Sequence, residues 1–449
     1  MSGHSRPQGI ARVDDTHDPA RRSWVSSANQ AGSEFPLQNL PFGVFRRDGG
    51  EPRGGVAIGD FVLDVQAALD ARLFTGSDAD AARAAAGPSL QPLLQLGRSA
   101  SNAIRRRLWE LLQKGGKGAS EAEGRASSLL VPLSEVELLL PVTPRSFTDF
   151  SSSVHHVKRI GAGGPVHPSF FRVPVAYNGR ASSIRPSRTS VRRPLGLFGE
   201  TGERGLIAAE PMLDFELELG AWLSGDTTLG EPLSVTAAAG CSFGFALVND
   251  WSARAIQFFE MGLGPFLGKS FMTTVSPWIV TAEALAPFRC AAPSGEDTIA
   301  VLPSHLVEAD DQKHGGLSIE LEALIHSAAQ REQGLGPQVI VRTHSRYLGW
   351  TFGQLIAHQG SNGGDVCTGD LVATGTVSGP SDESRACFAE ISEMGRRSIK
   401  LDGGEQRSFL ADGDELCLRG RAQADGFVSI GFGSCAGKIV AAHKPARDL

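Results

Sequence analysis

The segment Leu213-Asp-Phe-Glu-Leu-Glu-Leu219 alternates acidic and apolar residues strictly, the period of a half-buried strand. Asp214, Glu216 and Glu218 then share one face at ~7 Å intervals. Carboxylates so placed repel one another once water is removed, so such a face is either open to solvent or neutralised by a cation. Two more carboxylates stand where they could converge on it: Asp149, before a Ser-rich turn, and Asp250, before Trp251-Ser-Ala-Arg254. Asp149, Glu216, Glu218 and Asp250 together make an all-oxygen set suited to a hard divalent cation such as Mg²⁺ or Ca²⁺.

A helix starting at Asp250 would project Arg254 and Gln257 from the same side, so a carboxylate, a guanidinium and an amide would face one cleft. Plainer roles stay open, with Asp250 as a helix N-cap and Arg254 as a surface ion-pair partner. Lys269 lies in the apolar, glycine-framed Pro265-Phe-Leu-Gly-Lys-Ser-Phe271, where a lysine is often tied to a carboxylate or an oxyanion. His155 and His156 follow Asp149 closely, and one of an adjacent pair can face a cleft while the other turns outward. A general base also needs an orienting carboxylate, and the chain offers many, Glu390 among them.

These residues must be positioned by a chain of 449 residues, long enough for a sizeable core and two or three domains. Gly 54 and Pro 25 against 7% aromatics favour turns and strands over a long helical bundle. A net charge of −6, with no basic block beyond Arg105-Arg106-Arg107, argues against a nucleic-acid partner. The longest apolar runs fall far short of a membrane span, the first thirty residues lack an apolar signal core, and the six scattered cysteines form no C-x-x-C pair. The expectation is a cytoplasmic protein with reduced thiols. Residues 1–33 read as a disordered or surface-draped leader. Residues 34–140 read as a small barrel of short strands (Phe42–Phe45, Gly55–Ile58, Phe61–Leu63) with a helix over Ile104–Leu112 and an exposed loop from Gly115 to Ser128. Residues 141–449 read as a strand-rich domain whose strong helical signals are Ser252–Phe259 and Arg346–His358.

Several long segments, Phe147-Thr-Asp-Phe-Ser-Ser152, Pro174-Val-Ala-Tyr-Asn-Gly-Arg-Ala-Ser-Ser183, Asn249-Asp-Trp-Ser-Ala-Arg254, Leu263–Phe271 and Ala373-Thr-Gly-Thr-Val-Ser-Gly-Pro380, resemble the fumarylacetoacetase family. The likeness runs collinearly from about residue 34 to 445. It implies a mainly β (α+β) fold, with a small SH3-like amino-terminal barrel followed by a larger β roll. It further implies hydrolysis of 4-fumarylacetoacetate to fumarate and acetoacetate, the last step of tyrosine and phenylalanine breakdown, usually by a homodimer. By position, Asp149, Glu216, Glu218 and Asp250 match the family's cation ligands, and Lys269 and Thr273 a further site beside them. His156 matches the catalytic base and Glu390 its partner. Arg254, Gln257 and Lys269 match the oxyanion-stabilising groups, while Tyr177, Gln257 and Thr376 match substrate contacts.

The substrate side departs from this pattern. Ser151 and Met261 stand where the family usually has tyrosines, and the loop between His156 and Pro174 is short, leaving Arg159 or Arg172 to grip a substrate carboxylate. Two other readings are therefore carried. One is a related 1,3-diketone or acylpyruvate hydrolase, or a decarboxylase, using the same metal–enolate chemistry; the other is a catalytically silent scaffold, which would predict damage to the His156–Glu390 pair.

Overall fold

The structure, a computed structural model, describes residues 9–161, 166–293 and 302–444. Its amino-terminal part is a curled five-stranded antiparallel sheet of β1 (Phe42–Arg46), β2 (Arg53–Ile58), β3 (Phe61–Asp64), β4 (Leu130–Pro132) and β5 (Glu137–Leu139), in the order β4-β3-β2-β1-β5. The three strands expected from the sequence are β1, β2 and β3. Helix α1 (Arg98–Leu112) buries Ile104, Leu108, Leu111 and Leu112 on one stripe. The stretch from Gly115 to Ser128, expected as an exposed loop, instead holds two short helices that bury Ala119, Ala122 and Leu129. Alanines spaced along one side provided the apolar face.

Of the two readings of the leader, disordered or surface-draped, its described part does not fit the first. Residues 1–8 lie outside the described residues, but from residue 9 on the chain is packed rather than loose: Thr16, His17, Val25 and Ala28 are buried. The Nε2 of His17 bonds the carbonyl of Glu283 at 2.9 Å, and Thr16 Oγ1 accepts from Arg105 at 2.7 Å. Arg105 is fully buried, its other N–H groups donating to the carbonyls of Gln38 and Asn39. A long-range polar partner holds this segment, which short-range periodicity does not register.

The larger part is built on β6 (Phe147–Phe150), β7 (Ala176–Asn178), β8 (Ile184–Pro186), β9 (Leu217–Leu223), β10 (Ser242–Asn249), β11 (Thr273–Val275), β12 (Val280–Thr281) and β13 (Leu371–Ala373). They form one sheet in the order β7-β6-β13-β9-β10-β11-β8, with β12 also pairing β10. β9 and β10 are buried along their whole length, and their alternate residues feed two cores. Phe245 and Leu247 join the core made with a second sheet (Ile319–His326, Gln338–His344, Glu415–Ala422, Ile430–Val440, Val191–Arg192), while Ala246 and Val248 join the core of the half-barrel. The amino-terminal part is thus welded to the back of the site-bearing sheet. All six cysteines are free, and among the described residues no helix is long and apolar enough to cross a membrane.

Just past β13, Gly375 has φ +75°, and a Cβ there would lie 1.9 Å from the carbonyl oxygen of Phe150. Both the left-handed backbone and the close approach of the β6 end require glycine. Gly375→Ala is expected to lower the unfolding free energy measured by urea denaturation by more than the ~1 kcal/mol of a simple backbone penalty, because the strand carrying Asp149 must also shift.

Candidate active site

Asp149 lies in β6 opposite Ala373 of β13 and Tyr177 of β7. Glu218 lies in β9 opposite Val248, and Asp250 follows β10 directly. Glu216 precedes β9, its N–H donating to the side chain of Asn249 at 3.1 Å. Three strands of one sheet, β6, β9 and β10, therefore deliver four carboxylates to one place, where an oxygen from each lies within 4.8 Å of the others. All four are buried. Asp214 is not among them, because the strand is interrupted between Asp214 and Leu217 and its carboxylate turns elsewhere.

Two cations enter this cluster. Lys269 Nζ bonds Glu216 Oε2 and, at 2.8 Å, Asp250 Oδ2, while Arg254 Nη2 lies 2.8 Å from Glu216 Oε1. Thr273 donates to Asp250 Oδ1 at 2.8 Å and Tyr177 to Asp250 Oδ2 at 2.5 Å. Burial raises the Glu216 carboxyl, but Lys269 and Arg254 outweigh it and hold Glu216 below the usual range. Asp149 and Glu218 go the other way: burial, then the neighbouring carboxylates, push both well up. The Lys269 ammonium, disfavoured by burial, is held above its ordinary value by Asp250 and Glu216.

The residues present fit a hard cation. The donor set is all oxygen, and Asp149 Oδ1 and both oxygens of Glu218 are buried without a hydrogen-bond partner. Orphaned buried carboxylate oxygens are costly unless something ligates them. Glu218→Gln tests this with effects of opposite sign: the metal-free protein is expected to gain thermal stability as like-charge repulsion falls, while calorimetric Mg²⁺ affinity drops on the order of tenfold or more. Unchanged affinity would remove Glu218 from the ligand set.

His156 stands beside the cluster on α2 (Val154–Ile160), whose N-cap Ser153 accepts from His156 N–H at 3.2 Å. Its Nδ1 meets Glu390 Oε1 at 2.7 Å, and its Nε2 lies 4.0 Å from Glu216 Oε1. His155 turns away, its ring edge-on to Tyr347. Burial disfavours the Glu390 carboxylate, but His156, Ser378 and Arg159 outweigh it and keep it ionised. An anionic Glu390 places the proton on Nδ1 and leaves the Nε2 lone pair facing the carboxylates.

Helix α3 (Arg254–Phe259) begins at Arg254, not at Asp250. Asp250 at a strand end and Arg254 after a short Ser252–Ala253 strand reach the same cluster without bonding each other, and α3 is capped by Glu210, which accepts from Ala255 and Ile256 N–H. Arg254 Nη1 donates to Gln257 Oε1 at 3.2 Å. The short helix α4 (Leu267–Ser270) presents Lys269; Glu260 accepts from Phe266 and Gly268 N–H to fold this loop back, and a Cβ on Gly268 would strike the Gln257 backbone at 2.6–2.7 Å.

On the substrate side, Thr376 is buried with its hydroxyl unpartnered, and Ser151 is half-buried at the end of β6. Met261 is not brought into the cluster: it is 45% exposed, on a ridge with Phe258 and Phe259. Arg159 donates to Glu390 Oε2 at 3.1 Å and to the Pro380 carbonyl, so it is committed to the histidine's partner, and Arg172 is exposed. The short loop that follows His156 runs through residues 162–165, outside those described. Ser378, which donates to Glu390 Oε1 at 2.5 Å, went unrecognised in the sequence although it lies within Thr376-Val-Ser-Gly-Pro380, since a lone serine carries no spacing signal.

Residues 38–141 match the family model described as fumarylacetoacetase N-terminal, and residues 145–440 that described as fumarylacetoacetate (FAA) hydrolase C-terminal. Half-barrel and site-bearing β domain, in this order, define a two-part hydrolase of the fumarylacetoacetate type. The chain belongs to the fumarylacetoacetase family. It is 42% identical to a fumarylacetoacetase of Oryza sativa subsp. japonica over 432 residues, covering 94% of this chain and 97% of that protein. A fumarylacetoacetase of Arabidopsis thaliana is 39% identical over 91% of this chain and 96% of its own length, and one of Bos taurus 38% over 91% and 97%.

Proposed function

We propose that this protein hydrolyses the carbon–carbon bond of 4-fumarylacetoacetate to fumarate and acetoacetate, the closing step of tyrosine and phenylalanine breakdown. The observation that carries the reading is the juxtaposition of an intact His156–Glu390 pair with four buried carboxylates. Asp149, Glu216, Glu218 and Asp250 would hold a divalent cation, Mg²⁺ or Ca²⁺, with Lys269 and Thr273 bracing Asp250 and Glu216. Such a cation supplies Lewis acidity that makes a diketone enolate a competent leaving group.

His156 Nε2 takes a proton from water as the water oxygen bonds to the carbonyl carbon that becomes a fumarate carboxyl. Arg254, Gln257 and Lys269 place positive charge and N–H donors toward the oxygen that becomes negative. The carbon–carbon bond then breaks, its electron pair leaves with the acetoacetate carbon, and the proton held at His156 returns to that carbon. Glu390 stays ionised throughout, steadying the imidazolium. Thr376 and Tyr177 line the substrate side.

The homodimer is part of the same reading: Phe258, Phe259, Met261, Leu263, Phe266 and Leu267 form an exposed apolar run that a second copy would cover, checked by sedimentation. Six free thiols suit the reducing cytoplasm. A second reading, a related 1,3-diketone or acylpyruvate hydrolase or decarboxylase, is favoured by the commitment of Arg159 to Glu390 and the exposure of Met261. The deciding experiment is the loss of diketone absorbance on adding Mg²⁺-loaded protein, with a chelator control and a panel of diketo acids. Chelator-sensitive fumarate release supports the first reading; turnover of another diketo acid alone supports the second.

A further inference from the structure

Beside the four carboxylates of the cluster stands Asp214, which accepts two hydrogen bonds on each of its oxygens. It is fully buried. Its Oδ1 accepts from Phe215 N–H at 2.8 Å and Phe388 N–H at 2.6 Å; its Oδ2 accepts from Ala389 N–H at 2.9 Å and Arg254 Nε at 3.0 Å. Phe388 and Ala389 open the short helix α5 (Phe388–Ile391) that carries Glu390. One carboxylate therefore holds the guanidinium on one side of the cleft and the backbone next to the histidine's partner on the other.

We propose that Asp214 is a positioning residue that locks Arg254 and Glu390 into a single rigid unit, so that the oxyanion donor and the oriented base are set at a constant separation. The inference rests on the functional reading above. Saturation of all four acceptor directions excludes Asp214 from ligation, and the shared carboxylate leaves neither arm free to move alone. Register matters here, because groups misplaced by about 1 Å lose on the order of 10²-fold in rate. No other side chain bonds both arms among the described residues, since Ser378 and Arg159 reach Glu390 but not Arg254.

The test is Asp214→Asn in the full-length, Mg²⁺-loaded protein. The amide turns an N–H₂ toward Arg254 Nε and Ala389 N–H, releasing Arg254 and loosening α5, which keeps only the Phe388 bond to the remaining oxygen. The expected result is a ~10²-fold fall in kcat with KM and calorimetric Mg²⁺ affinity unchanged. In a cycle with Glu390→Gln the two losses should be strongly non-additive. A folded Asp214→Asn variant with near-normal kcat, or purely additive losses, or a kcat loss matched by lost Mg²⁺ affinity, would overturn the assignment. If Asn fails to fold, Asp214→Glu keeps the charge but displaces the carboxylate by a methylene, and the same kcat loss at constant KM is expected. If the wild type does not turn over fumarylacetoacetate, the functional reading fails separately. The positioning role is then read from the Nδ1 proton resonance of His156 bonded to Glu390, which Asp214→Asn should shift or broaden and which an idle Asp214 would leave in place.

Discussion

His156→Ala is expected to lower kcat by ~10²–10⁴-fold, the range a general base supplies, without unfolding the protein or weakening Mg²⁺ binding. His156 is not a carboxylate of the cluster, and its Nε2 stands 4.0 Å from the nearest cluster oxygen, so its removal leaves the oxygen donors in place. It does leave Glu390 without its main partner, but Ser378 and Arg159 still bond both carboxylate oxygens, so no bare buried charge results. The measurement is steady-state turnover beside calorimetric metal titration and a melting curve. Turnover close to wild type in a folded, metal-bound variant would remove the histidine from the chemistry.

Lys269→Met carries the largest expected effect on stability. The ammonium is buried and bonds both Glu216 and Asp250, within a group of four carboxylates. Arg254 compensates Glu216 in part but is shared with Asp214, so Asp250 would keep only hydroxyl partners, Tyr177 and Thr273. Breaking one partner out of a buried ion pair costs about 3–5 kcal/mol, and the metal-free variant should lose that much in urea unfolding. Mg²⁺ should recover part of the loss, because a divalent cation supplies charge to the same oxygens. A metal-free variant as stable as wild type would mean that the carboxylates are protonated and need no counter-ion. Glu218→Gln runs in the opposite direction for the same electrostatic reason, and the pair of variants separates charge compensation from packing.

The ingredients of the site were legible in the amino-acid sequence: the acidic alternation at 213–219, the Asp250–Arg254–Gln257 spacing, and Lys269 in its apolar loop. So were β1, β2 and β3 of the half-barrel, as short apolar runs punctuated by glycine, whereas β4 and β5 were not. The geometry that selects among those residues was not local. Alternation placed Asp214 with Glu216 and Glu218, yet a break before β9 sends Asp214 to α5 and Arg254, and leaves Glu216 and Glu218 with Asp149 and Asp250. Helical spacing suggested a helix from Asp250, whereas the strand ends there and α3 starts four residues later. Arg159, a candidate for the substrate carboxylate, is claimed by Glu390 more than two hundred residues downstream. The leader read as disordered or surface-draped because its polar composition has no period, and a buried arginine of α1 helps order its described part. Residue type and local period determine which side chains are able to ligate, donate or accept a proton. Which of them share a carboxylate, and which are left with an unpaired oxygen, is decided by contacts between strands far apart in the chain, because burial makes every polar atom find a partner or carry a cost.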